Sequence, residues 1–260
     1  MDKRELLDRA AATGEERLLL GRVWDKWEQC QRRNIPTVTG FLSPQEQALA
    51  QKLLQAMGVA SGYIFWGGYD GAERCQLQFL PDWQEEAEDS IHLLRCNFYE
   101  EGALTHRDFL GSLMGMGLTR EKIGDILVTE RSADILVGDS VSDFLLQNWN
   151  AAGRIKLKVT HQELHHLHIP QQQTKEIHDT VPSLRLDCMV AAGFSTSRVK
   201  AAEAIAAGRV QVNWTTCQKS DATLSEGDVI SVRGMGKCRL GSVGKITKKG
   251  RVFVTLQRYI

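Results

Sequence analysis

Apolar residues recur at helical spacing from the start of the chain. Leu6, Leu7, Ala10 and Ala11 are followed by Leu18, Leu19 and Leu20, then by Val23, Trp24 and Trp27. The pattern predicts helix over 3–31. Pro36, Gly40 and Pro44 interrupt it. Ser43 then offers an N-cap with Pro44 in the first helical position, and a second helix is predicted to Met57. Residues 63–66 and 74–80 read as strands about a glycine-rich turn. Further on, 91–99 reads as strand and 105–116 as a helix capped by Thr105 and stopped by Gly117. Short strands at 125–129 and 135–137, a helix at 141–152 and a strand at 154–159 complete a β-α-β-β-α-β order, which is ferredoxin-like. Many RNA-binding modules share that order, and so do unrelated proteins, so it assigns no function by itself.

A histidine- and glutamine-rich polar stretch follows and reads as a linker. Beyond it, 184–192 predicts a short helix with Gly193 as its C-terminal cap. The turn "FSTS" offers Ser195, Thr196 or Ser197 as N-cap of a second helix to Ala207, and Gly208 ends that helix. "RVQVN", "LSEGDVISV" and "GKITKKGRVFVTL" supply strands. The chain is thus read as α+β, with an N-terminal α/β subdomain (1–89), a ferredoxin-like domain (90–160), a linker (161–180) and a C-terminal module (181–260).

Charge sharpens this division. Lys/Arg and Asp/Glu balance at 32 each over 260 residues. From Pro182 onward, however, 13 Lys/Arg face 5 Asp/Glu, whereas the preceding residues carry 19 against 27. A basic module on an acidic body suits a polyanion partner. The front of the second C-terminal helix concentrates that charge. Free backbone N–H groups and a partial positive charge gather at a helix N-terminus, and Arg198 and Lys200 stand there, with Arg185 and Arg209 able to extend the patch. The six cysteines are scattered without a C-x-x-C pair, which predicts reduced thiols and a cytoplasmic location rather than a disulfide or zinc framework. No apolar run reaches membrane-span length, and the charged N-terminus lacks a signal-peptide core.

Enzyme chemistry finds little support. Thr105, His106 and Asp108 have triad residue types, but neighbours this close on a helix point to different faces, and Thr105 with Asp108 fits a cap. The only "RLD" lies inside the predicted helix at 185–187, "ITKKG" is only superficially like a lysine-rich ATP loop, and "FWGGYDG" leads into a strand instead of the helix a nucleotide loop requires. His161 and His165 are four apart, yet no further ligand completes a metal site. The expectation is a protein with no catalytic residue, metal, cofactor or small-molecule substrate.

The stretch "LRLDCMVAAGFSTSRVKAAEAIAAGRVQVN", followed by "GD" at 227–228 and "RGMGK" at 233–237, resembles the RNA-binding domain first recognised in ribosomal small-subunit protein S-four. "FLSPQEQ", "GGYDGAERC", "LTHRDFLGSLMGMGLTREKIGDILV" and "ITKKGR" extend the likeness over nearly the whole chain, to the YlmH family of bacterial RNA-binding proteins. The resemblance implies ribosomal and transfer RNA as partners, association with the large ribosomal subunit and a part in ribosome quality control. Members in photosynthetic bacteria often carry a photosystem II-related label. Phosphate contacts are expected from Arg185, Arg198, Lys200, Arg209, Lys219, Lys237, Lys248 and Lys249, with Ser197 and Asn213 as hydrogen-bonding positions. His106, Arg107, Arg120 and Lys122 form a second candidate cluster. Trp214 departs from the family pattern, which has glycine after V-x-V-N; an exposed ring there is available for base stacking. The competing reading is an RNA-modifying enzyme with chemistry in 60–130; a protein-partner adaptor using the acidic N-terminal body is compatible with the RNA-binding reading.

Overall fold

The computed structural model describes residues 2–100, 104–170 and 174–260. The chain divides into two compact units, Met1–Pro170 and Gln171–Ile260.

The first unit opens with α1 (Lys3–Ala10) and α2 (Gly14–Arg33). The helix expected over 3–31 is therefore two. Thr13 divides them because its side chain accepts a hydrogen bond from the Glu16 N–H and starts a new helix. β1 (Thr37–Leu42) leads into α3 (Pro44–Ala56), where Ser43 and Glu46 form a capping box. β2 (Tyr63–Trp66) and β3 (Cys75–Phe79) complete an antiparallel sheet of order β1-β3-β2. Leu20, Val23, Leu53, Leu54, Leu77 and Phe79 fill the core beneath the helices.

The ferredoxin-like part comprises β4 (Ile91–Asn97), α4 (His106–Gly115), β5 (Ile123–Val128), β6 (Ser132–Gly138) and α5 (Asp139–Asn148). A small hairpin of β7 (Ala151–Ala152) and β8 (Ile155–Lys156) precedes β9 (Lys158–Gln162). The sheet order is β5-β6-β4-β9, all antiparallel, as the β-α-β-β-α-β reading requires. Two boundaries move. The second helix ends at Asn148 instead of 152, and the last strand lies at 158–162 because 151–156 turn back on themselves. Phe109, Leu113, Val141 and Leu145 bury the helices on one sheet face. The opposite face is also covered. Ile91, Leu93 and Leu136 pack there with Phe41, Trp66, Tyr69, Leu164 and Leu167.

A polar clamp joins the two parts of this unit. Asp125, 8% exposed, accepts from the backbone N–H groups of Glu73 and Arg74 at 2.7 and 3.0 Å and from the Tyr69 hydroxyl at 2.8 Å. The Arg74 guanidinium donates to the carbonyls of Ile123, Phe41 and Arg120 at 2.9–3.0 Å. Burial and neighbouring Arg120 push Arg74 down to about 10. The "GGYDGAERC" motif is thus the strut between the two parts.

The second unit begins with a strand, β10 (Thr174–Val181), where a linker was expected to reach residue 180. It pairs antiparallel with β15 (Val252–Tyr259) over eight positions. Residues 161 and 162 likewise belong to β9. Between lie α6 (Leu186–Gly193), α7 (Arg198–Ala206), β11 (Val210–Val212), β12 (Thr215–Thr216), β13 (Val229–Val232) and β14 (Gly236–Ile246). The sheet order is β10-β15-β14-β13-β11-β12. Met189, Val190 and Ile205 from the helices meet Ile230, Leu240 and Leu256 from the sheet. Gly208 ends α7 at φ +68°, as expected. Gly193 does not act as a left-handed cap. It is the last residue of α6, and an added Cβ would lie 2.8 Å from Cys238 Sγ, so its bareness lets the helix approach β14. Among the described residues, no helix is long and apolar enough to cross a membrane.

Candidate nucleic-acid interface

The covered sheet in the first unit removes one mode of RNA recognition. Modules of this topology commonly stack bases on aromatics of an open sheet face, but here Phe41, Trp66 and Tyr69 already occupy it. The second candidate cluster lies around α4 and β5 instead. Burial, then Arg120, pushes the His106 imidazole below its ordinary value of 6.5, which leaves it largely neutral at pH 7 and a weak phosphate ligand. Lys122 Nζ donates to Ser140 Oγ at 3.1 Å, while Arg107 is exposed on the first turn of α4. Thr105 donates its N–H and hydroxyl to Asp108 at 2.8 and 2.6 Å, so both groups serve the helix start. His161 stands on β9 with Nε2 3.4 Å from His92 Nδ1, and His92 Nε2 is 2.8 Å from Asp139.

In the second unit, Arg198 and Lys200 share the front of α7 but not a face. Residues two apart on a helix diverge by about 200°. Arg198 turns to Asp187, whose Oδ2 accepts from its Nη2 at 2.6 Å. The same carboxylate accepts from Arg185 Nε at 3.2 Å and Cys188 N–H at 3.0 Å. Asp187 is 5% exposed. Burial raises its proton affinity, but the hydrogen bonds from Arg198, Arg185 and Cys188 outweigh it and hold the carboxyl below its ordinary 3.8. One buried carboxylate therefore orients two guanidinium groups.

This linkage fixes a pH dependence. A carboxyl held low when folded contributes stability that is present above its unfolded value and is lost as pH falls through the folded one. Asp187→Asn is expected to lower stability at neutral pH and to flatten the fall as pH drops through and below the ordinary aspartate value of 3.8. Urea denaturation followed over that range checks it; a parallel acid limb in both proteins would refute the assignment.

Lys200 lies on the other side, along a groove of about 570 Å³. Arg209, Arg233 and Met235 line the same groove, with Ala201 and Val232 along its wall and Glu203 as its acid. The pairing of β11 with β13 creates this company. Val210 faces Val232, and the Arg233 N–H donates to the Arg209 carbonyl at 2.9 Å. Arg233 was not among the expected phosphate contacts, because only strand pairing brings it beside Arg209. Lys237 enters β14 opposite Ser231, near the same end of the sheet. Lys248 and Lys249 occupy the exposed β14–β15 turn, at the far end of an 11-residue strand that spans roughly 35 Å. Lys219 is exposed in the turn closed by the Ala222 N–H on its carbonyl. The ten expected contacts thus do not form one patch.

Two polar candidates have duties inside the protein. Ser197 Oγ accepts from the Lys200 N–H at 3.3 Å and caps α7. Asn213 Nδ2 donates to Asp228 Oδ1 at 2.8 Å, and its Oδ1 accepts from the Val229 N–H at 2.9 Å. The side-chain amide expected to reach RNA is instead committed to a lock between the "VQVN" strand and the later "GD" turn.

Three family models match this chain: "YlmH, N-terminal" over 15–82, "Putative RNA-binding domain in YlmH" over 85–166 and "S4 domain" over 184–230. The chain is 33% identical over 224 residues to "Ribosome-associated protein quality control protein P2" of Bacillus subtilis (strain 168), covering 85% of this chain and 86% of that protein. A solved structure, "Cell division protein ylmH from Streptococcus pneumoniae", is similar at 21% identity and a TM-score of 0.47, covering 58% of this chain and 93% of that one. With two subdomain matches falling on the clamped first unit and the third on the helix pair of the second, the chain belongs to the YlmH family.

Proposed function

We propose that this protein binds RNA as a ribosome-associated, non-catalytic factor in protein quality control. Ribosomal RNA of the large subunit is the principal target, and transfer RNA is a further contact. The observation that carries the reading is the convergence of Lys200, Arg209 and Arg233 on one groove beside α7, within the S4-matching unit. Three cations beside an apolar wall suit a phosphate backbone better than a small substrate. The name of the Bacillus subtilis relative supports the ribosomal setting. The capping role of Thr105 and Asp108 supports the absence of catalysis there.

Salt dependence tests the groove. Each phosphate contact contributes about 0.7–0.9 to the slope of log K against log salt. Replacing Lys200, Arg209 and Arg233 together by alanine is expected to reduce that slope by about 2–3 while the melting temperature holds. Co-sedimentation of the full chain with purified ribosomal subunits, titrated with salt, gives both slopes and the preferred subunit. An unchanged slope would reject the groove, and preference for the small subunit would reject the target.

A further inference from the structure

The short β11–β12 hairpin turns on Asn213 and Trp214, at φ +46° and +60°. Two successive left-handed residues make a turn that normally takes Asn-Gly. Asn213 is at home there, and its three hydrogen bonds to Asp228 and Val229 enforce the geometry. A bulky residue such as Trp214 is a conformational outlier in that region. Strain of this kind persists where the surroundings impose it and where the side chain has a use.

Among the described residues, no hydrogen bond or ring contact supplies that use. The chain has six tryptophans, and the other five are engaged. Trp24 and Trp27 meet edge to face within the first core, and Trp66 packs under the ferredoxin-like sheet. Trp83 Nε1 donates to the Asn34 carbonyl and Trp149 Nε1 to Ser112 Oγ. Trp214 stands outside the hydrophobic core of its unit, and among the described residues its ring has no aromatic or cationic partner and its indole N–H no acceptor. The residue is intermediate in exposure, partly covered and partly open to solvent. Part of a flat π surface is thus left open at a hairpin tip whose backbone is fixed by its neighbour.

We infer that Trp214 is a stacking platform for an unpaired RNA base. Bases stack on aromatic side chains with little regard for sequence, because every base has a π face. Base-paired RNA withholds those faces, so the ligand is a loop, bulge or single-stranded end. The Asn213 lock is the positioning device, since it holds the turn that displays the ring. The inference rests on the RNA-binding reading of this unit.

The test uses the full chain and two RNA probes that share a stem: a hairpin with an unpaired loop, and the same stem continued as uninterrupted duplex. Trp214→Gly restores the favoured turn residue, so it is expected to melt at or above the wild-type temperature. Its affinity for the hairpin is expected to fall about tenfold or more, with its duplex affinity held within about twofold. Trp214→Phe keeps a ring and is expected to retain most of the hairpin affinity. Equal hairpin affinity in Trp214→Gly and wild type would overturn the inference while leaving the RNA-binding reading intact. So would a lower melting point accompanied by equal losses on both probes, which would mark a structural residue. Wild-type protein that binds neither probe would overturn the RNA-binding reading, and the platform with it.

Discussion

Asp125→Ala is expected to remove about 3–5 kcal/mol from the first unit, the cost typical of breaking a buried charge pair or network. The substitution strips the acceptor from two backbone N–H groups and the Tyr69 hydroxyl. Hydrogen bonds to charged groups contribute about 1.5–3 kcal/mol each, and shared partners make them less than additive. The buried Arg74 guanidinium, held by three carbonyls, also loses the nearby Asp125 charge. Domains have only about 5–15 kcal/mol in total, so a large part of the unit's stability depends on this residue. Asp125→Asn keeps one acceptor oxygen and should fall between the two. Urea denaturation read through tryptophan fluorescence checks the series, since Trp24, Trp27, Trp66, Trp83 and Trp149 all lie in this unit. A loss below about 1 kcal/mol would show that the clamp is ornamental.

The second large effect concerns where the C-terminal unit starts. Residues 171–260 are expected to fold alone, whereas 182–260 is expected to melt at a temperature lower by about 15 °C or more. The shorter fragment loses all eight β10 partners of β15. It also loses buried Val181 and the contribution of Ile177 to the core. Burying one such side chain is worth about 1.5–3 kcal/mol, and each kcal/mol moves the midpoint of a domain this size by about 4–8 °C. The exposed edge of β15 further invites pairing between copies. Circular-dichroism melts of the two fragments, with their sedimentation behaviour, give the comparison. Coincident melts would mean that the strand is an appendage.

The sequence showed the strand's composition but not its role. In 174–181 only Ile177 and Val181 are apolar, among Glu176, His178, Asp179 and Thr180. A strand with so few inward residues has the composition of a linker, and its partner lies too far along the chain for a local pattern to reveal. Caps were readable because their signals are local: Ser43, Pro44 and Glu46 sit within four positions, as do Thr105 and Asp108. Gly208 was readable for the same reason, whereas Gly193 has the same residue type and a different duty, set by Cys238 across the core. Arg198 and Lys200 were read as one patch at the helix front, although residues two apart on a helix diverge and the structure sends them to different sides. Arg233 was not readable, because only the Val210–Val232 pairing brings it beside Arg209. The burial of Arg74 was equally hidden, since its acceptors are main-chain carbonyls at 41, 120 and 123, which no residue type announces.

The pairing of β10 with β15 also sets a timetable. It joins residues from 71 apart, Val181 with Val252, to 85 apart, Thr174 with Tyr259. β15 is flanked by both β10 and β14, so two seams of the sheet wait for one strand. Chain segments fold as units in the order they are synthesised, and distant pairings close slowly. The first unit has all its strands in hand once residue 162 is made. The helices α6 and α7 emerge well before β15, the last of the strands that cover their apolar faces. During that interval the nascent chain carries a finished acidic body and a half-built module whose apolar core is still open.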